Sequence, residues 1–207
     1  MPPDGESTPG VPAHGSVERM FVLGIDPGLS RCGYGLVDRG PDGAFRARAA
    51  GVLETDPGAE LPARLRILHR ELVELLGDLR PDAVVVERVF FQVNARTAMS
   101  VGQASGLALA SASASGCVVA QYTANEVKQA VVGYGSATKE QVQRMVASIL
   151  ALDAPPRPPD VADALALAVC HLTAQPLRQA VEAAEPRSRA AGSDRRPAAA
   201  GRRGGGG

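Results

Sequence analysis

Between residues 20 and 173 the apolar positions fall into short β-rich runs and longer stretches with helical spacing. The run Met20 to Gly28 (MFVLGIDPG) is apolar until it meets Asp-Pro-Gly, which predicts a strand entering a turn. The strand pattern resumes over Gly33 to Asp38, so the two segments predict a hairpin, and Phe45 to Thr55 adds a third strand interrupted by Arg46, Arg48 and Gly51. Leu61, Leu65, Leu68, Leu72, Leu75, Leu76 and Leu79 recur at intervals of three and four, the stripe of an amphipathic helix. Asp82 to Glu87 is a β-branched run too short for a helix, which predicts a central strand buried on both faces.

Beyond it, Asn94 to Ser115 is dominated by Ala, Ser and Gly. Gly102, Gly106 and Ala110 lie on one helix face, where small residues admit a close backbone from the domain's own sheet or from a second subunit. Cys117 to Tyr122 predicts a further strand, followed by a short helix over Thr123 to Val132 and a Gly-Tyr-Gly-Ser turn. A helix over Thr138 to Leu150 starts with the capping-box spacing of Thr138 and Gln141. Pro155, Pro156, Pro158 and Pro159 stop the chain, and Asp160 opens a last helix over Val161 to Val169. Strands in a meander, then strands alternating with helices, predict an α/β fold with a mixed sheet flanked by helices.

The two ends differ in composition. Residues 1–19 are rich in Pro, Gly and small polar residues, and residues 174–207 drift into Ala, Arg, Pro and Gly; both read as disordered extensions, with Met20 as the natural start. The intervening 154 residues suffice for one domain. The first apolar run is far shorter than the roughly 20 residues of a spanning helix, so a soluble protein is expected. Three widely spaced cysteines, Cys32, Cys117 and Cys170, fit neither a disulfide framework nor a CxxC zinc site, and point to inert thiols in a reducing cytoplasm. Net charge is zero, yet the tail has seven arginines against Glu182, Glu185 and Asp194, while the core has 14 basic and 16 acidic residues. A DNA partner is compatible with this balance but does not follow from it.

Three places put acids where a purely structural sequence disfavours them: Asp26 ending the first strand, Glu87 ending the Val-Val-Val run, and Asp160 with Asp163 at i and i+3 on a helix start. Each has a local alternative, since Asp26 can nucleate a turn, Glu87 can reach solvent, Asp160 can cap its helix and Asp163 can favour the helix dipole. Together, two acids at strand ends and two on one helical turn can converge. Such a set suits Mg²⁺, and a pair of such ions suits phosphodiester hydrolysis.

The segments GIDPGLSRCGYGLV, VVVERVFFQVNARTAMSVGQASG, ANEVKQAVVGYGSATKEQVQRMV and DVADALALAVCH occur in an order and spacing that resemble the RuvC family of bacterial Holliday junction endonucleases across residues 21–173. The resemblance implies a ribonuclease-H-like fold, Asp26, Glu87, Asp160 and Asp163 as catalytic metal ligands, and Mg²⁺ as cofactor, two ions per site, with Mn²⁺ as a substitute. It further implies a homodimer acting on four-way junction DNA, with RuvA and RuvB-type branch-migration partners. Neither extension is covered by it.

Only two of the 22 basic residues are lysines, Lys128 and Lys139, and they flank the Gly-Tyr-Gly-Ser turn. Lys139 falls in the first turn of a predicted helix, where backbone amides and an ammonium together suit a phosphate. The resemblance makes both DNA contacts and aligns Phe90 with an aromatic placed among bases near the crossover; Arg88 and Arg96 are further phosphate-contact candidates, while Phe91, His69 and His171 suit packing or capping. Two other classes compete. The opening hairpin also resembles the first phosphate hairpin of the actin and hexokinase type of ATP-binding fold, although that fold needs a second domain and a second hairpin. A junction-binding protein without catalysis is disfavoured by the four acids.

Overall fold

The structure is a computed structural model that describes residues 19–88 and 95–184. The chain divides into two compact units, residues 1–174 and residues 175–207. The first unit holds a five-stranded sheet and five helices in the order β1 (Phe21–Asp26), β2 (Arg31–Arg39), β3 (Phe45–Glu54), α1 (Leu61–Leu79), β4 (Ala83–Glu87), α2 (Ala95–Ala114), β5 (Val118–Tyr122), α3 (Ala124–Val132), α4 (Lys139–Ile149) and the start of α5 (Pro159–Ala184). From the second unit, the described residues are those that continue α5 to Ala184, into the stretch whose composition reads as a tail.

The expected hairpin, third strand and leucine-striped helix are all present. The sheet order is β3-β2-β1-β4-β5, antiparallel through β1–β2–β3 and parallel through β1–β4–β5. The central strand is therefore β1; β4 is flanked on both sides but lies one place from the edge.

Alternation along each strand divides the core in two. Val22 of β1 and Ala83 and Val85 of β4 pack with Val127, Val142, Val146 and Leu165 from α3, α4 and α5. Leu23, Ile25, Val84 and Val86 point the other way, towards Leu68, Leu72 and Leu76 of α1 and Ala104, Ala108 and Ala112 of α2. The small residues that let α2 approach its own domain are thus these alanines. Gly106 and Ala110 are exposed, and a Cβ added at Gly102 or Gly106 meets nothing within 4 Å, so the Gly102–Gly106–Ala110 face does not pack on the sheet.

On the other side α5 lies nearly against the backbone. A Cβ at Gly24 would stand 1.9 Å from the Ala164 carbonyl oxygen, and one at Gly33 would stand 2.3 Å from that of Asp160. Real side chains cannot approach so closely, so glycine at these positions seats the opening turns of α5 over the ends of β1 and β2.

Candidate active site

The same alternation aims the acids. Asp26 continues the Val22–Gly24 face of β1, and Glu87 continues the Ala83–Val85 face of β4. Because β1 and β4 are parallel with Ile25 opposite Val86, the two acids leave neighbouring strand ends on the α5 side of the sheet. Asp160 and Asp163 arrive from above on the first turns of α5.

Asp26, Glu87 and Asp163 line one cavity of roughly 320 Å³, together with Lys128 and Val127 of α3, Lys139 and Val142 of α4, and Ala166 and Leu167 of α5. Burial, then the charges of Asp163, Glu87 and Asp160, push the Asp26 carboxyl up to about 7, against a smaller opposing effect of Lys139. Glu87 is raised by burial and by Asp163. Asp163 is raised by burial and by Asp160, although its bond to Lys139 works the other way. Each acid is thus costly to ionise because it is half-buried among others.

Two protein cations offset part of that charge. Lys139 Nζ lies 2.5 Å from Asp163 Oδ2, and Arg31 Nη2 lies 3.0 Å from Asp160 Oδ2. Burial disfavours the Lys139 ammonium, but its bond to Asp163 and the charges of Asp26 and Asp160 outweigh this and hold it protonated. Lys139, expected from its place on a helix start to face a phosphate, faces a carboxylate in this structure. Its helix begins as the sequence predicts, with Thr138 accepting from the Gln141 N–H while Gln141 accepts from the Thr138 N–H.

Asp160 does not line the cavity. It turns towards Arg31, while its charge still reaches Asp26 and Asp163. Lys128 lines the cavity. Arg88 is exposed just past β4, its backbone N–H donating to the Tyr122 carbonyl, and is not among the lining residues. Arg96 falls in α2 but its side chain, like Phe90 and Phe91 as a whole, lies outside the described residues. His171 is buried edge-on to Tyr122 with a 3.1 Å hydrogen bond between them, and His69 is exposed on α1. The three cysteines are free, and burial pushes the Cys32 thiol up to about 12, which leaves it inert. Arg31, the first residue of β2, escaped sequence reasoning because the acid it bonds lies far along the chain on α5.

Oxygen donors of this charge suit a hard divalent cation. Among the described residues, no three Asp, Glu, His or Cys side chains already stand in position to ligate one ion. On the α5 side both carboxylates are paired with protein cations, Asp163 with Lys139 and Asp160 with Arg31. The donor set therefore fits a divalent metal once those pairs yield.

Residues 22–171 match the family model of the crossover junction endodeoxyribonuclease RuvC. The chain belongs to the RuvC family. The RuvC of Salinispora arenicola is 50% identical over 173 residues, covering 84% of this chain and 99% of that protein. The structure of Thermus thermophilus RuvC superposes with a TM-score of 0.72 at 38% identity, covering 77% of this chain and 97% of that one. T. thermophilus RuvC in complex with a Holliday junction substrate gives a TM-score of 0.69 at 36% identity, over 76% of this chain and 96% of that one. This chain is accordingly a crossover junction endodeoxyribonuclease with a ribonuclease-H-like fold, a nuclease of DNA recombination and repair. RuvC nucleases depend on divalent metal. The single-hairpin ATPase and non-cleaving alternatives are not favoured. Among the described residues no helix is long and apolar enough to cross a membrane.

Proposed function

We propose that Asp26, Glu87, Asp160 and Asp163 form the catalytic set, that Mg²⁺ is the metal they hold, and that the chain uses it as a homodimer to nick two opposite strands of a four-way junction. The observation that carries this reading is the shared cavity: acids from β1, β4 and α5 face one space in which two lysines also stand. When bound, the metal supplies Lewis-acid activation of water and neutralisation of charge at the phosphodiester, with Mn²⁺ as a substitute. The four carboxylates contribute oxygen ligands and fix where the reacting phosphate sits. Lys128 and Lys139, at the cavity, hold phosphate oxygens by charge-assisted hydrogen bonds. Phe90 stacks on a base near the crossover, and Arg88, exposed just past β4, and Arg96 add weaker backbone contacts.

Two equivalent sites in a two-fold dimer suit a junction that is itself nearly symmetric, so paired cuts leave 5′-phosphates and ligatable nicks. The open Gly102–Gly106–Ala110 face supports a contact with a second subunit in place of the sheet. Branch-migration proteins of the RuvA and RuvB type are partners, residues 20–173 form the nuclease domain between two extensions, and the free thiols suit a cytoplasmic setting.

The decisive experiment incubates a synthetic four-way junction with Mg²⁺ and resolves the products on a denaturing gel beside a binding assay. Asp26→Asn, Glu87→Gln, Asp160→Asn and Asp163→Asn should each lower cleavage by more than about a hundredfold, the upper end for losing an outer-shell metal partner, with junction binding retained. Lys139→Ala should weaken binding and flatten its salt dependence, since one phosphate contact fewer releases fewer counterions. Full cleavage by any of the four acid variants removes that residue from the set.

A further inference from the structure

Both α5 acids are already engaged by protein cations. Lys139, on the first turn of α4, bonds Asp163, and Arg31, at the first residue of β2, bonds Asp160. Asp26 and Glu87 form no such pair among the described residues. The strand-end acids face the cavity without a cation, whereas the helix-borne acids are each paired with one, Asp163 while it also lines the cavity. The cations are also the more exposed partners, the Lys139 side chain being 57% exposed against 24% for Asp163, and that of Arg31 45% against 30% for Asp160. A flexible ammonium stem can exchange one anion for another at little structural cost. The anion that a nuclease brings to this place is a phosphate.

We propose that Lys139, assisted by Arg31, is an intramolecular counter-ion that competes with divalent metal for the α5 carboxylates until a DNA phosphate draws it away, so that DNA and metal load cooperatively. The proposal rests on the reading of the four acids as the metal site. Its logic is linkage: if Lys139 must leave Asp163 for metal to enter, and phosphate stabilises the departed lysine, each ligand favours the other by the same factor. Arg31 is a positioning residue here, since it acts through Asp160 and not on the reacting atoms.

Lys128 is the natural control, because it lines the same cavity but pairs with no acid among the described residues. Calorimetric titration of Mn²⁺ into the DNA-free full chain should show Lys139→Met binding on the order of fivefold tighter than wild type, the scale of one partly exposed ion pair, with Arg31→Met following at about twofold. Lys128→Met should change affinity by less than about twofold, as expected of a charge that is near but not in competition. If Lys128→Met and Lys139→Met shift the affinity equally, the competition is refuted and only general electrostatics remains. Asp26→Asn separates the two readings. If it binds Mn²⁺ as wild type does, the four-acid site itself is wrong; if it loses binding while Lys139→Met gains none, the site stands and the counter-ion proposal falls. A metal-free cycle checks the other side. In EDTA, Asp163→Asn releases Lys139 and should tighten junction binding about threefold or more, and this gain should vanish in the Lys139→Met background. An equal gain in both backgrounds overturns the proposal.

Discussion

Buried acids in this fold come in two chemical kinds, and the difference lies in what each one faces. Asp38 of β2 is fully buried, yet it accepts from Arg48 at 2.7 and 3.0 Å and pairs with Arg19 at 2.9 Å. Those arginines hold its carboxyl below the usual range, Arg48's hydrogen bonds leading. Asp26 faces other acids and moves the opposite way. The first arrangement satisfies a buried charge, and the second leaves one beside others of the same sign. Asp38→Asn should therefore destabilise the protein by about 1–3 kcal/mol while sparing the rate of cleavage, measured by chemical denaturation and junction assay. A depressed folded-state value means that the contribution of Asp38 is present above its unfolded value and is lost as pH falls through the folded one, so the penalty of the variant should shrink in strong acid. From sequence alone, Asp26 and Glu87 were legible because each interrupts an apolar run at its end. Asp38 was not, since its partner Arg48 is ten positions along and meets it only through the antiparallel register of β2 and β3, with a bulge between Leu36 and Val37. Arg31 was hidden for the same reason: the residue it bonds lies on α5.

Elements set the precision with which those residues meet. Most were readable, because periodicity reports the face that a segment buries and capping residues report where a helix starts. The Thr123–Glu126 box at the start of α3 shows the same signal as Thr138–Gln141 and was equally available. What periodicity cannot report is which neighbour a face meets. The glycines of α2 therefore drew attention, while the alanines on the opposite face of the helix make the packing contact. Strand order is a property of the whole sheet, which is why β4 read as central when β1 is. The glycines of the hairpin have a more direct consequence. Gly33 stands opposite Asp26 in the β1–β2 register, with the Asp160 backbone seated on it. Gly33→Ala must push the start of α5 outward and carry Asp160 away from the cluster, whereas the proposed junction contacts on α3 and α4 lie on other elements than the one displaced. Cleavage at limiting Mg²⁺ should fall by about tenfold or more, the sensitivity of catalysis to small misplacements, and be partly restored by raising the metal concentration. Junction affinity in EDTA should stay within about twofold of wild type, as expected for contacts that the substitution does not reach. A loss of junction affinity equal to the loss of cleavage would show that Gly33 serves the fold as a whole and not the placement of Asp160.

For the whole molecule, the active site is a local debit on stability whose size depends on pH and metal. The Asp26 carboxyl, ordinarily near 3.8, is held up to about 7 in the folded state, and burial and the neighbouring acids shift Glu87 and Asp163 in the same direction. A raised acid means that the native state binds more protons than the unfolded chain between the two values, so stability falls as pH rises through that window and the full cost stands above about 7. For Asp26 the gap corresponds to roughly 4 kcal/mol, an upper figure because the side chain keeps some contact with solvent. Below the window the loss of the Asp38 pairs acts in the opposite sense, so the metal-free protein should melt highest in mild acid. If the proposed site takes Mg²⁺ on its ionised carboxylates, the ion should by mass action raise the melting temperature most above about pH 7, where metal-free stability is lowest. Asp26→Asn keeps the shape and removes the charge. In EDTA it should melt higher than wild type near neutral pH, lose that advantage near about pH 5, and respond little to Mg²⁺. Melting curves of both proteins at three pH values, in EDTA and in Mg²⁺, measure all three effects together. If the wild-type protein in EDTA instead gains stability from about pH 5 to about pH 7.5, the acids are not held above their ordinary values, and the charge cluster stores nothing for a metal to relieve.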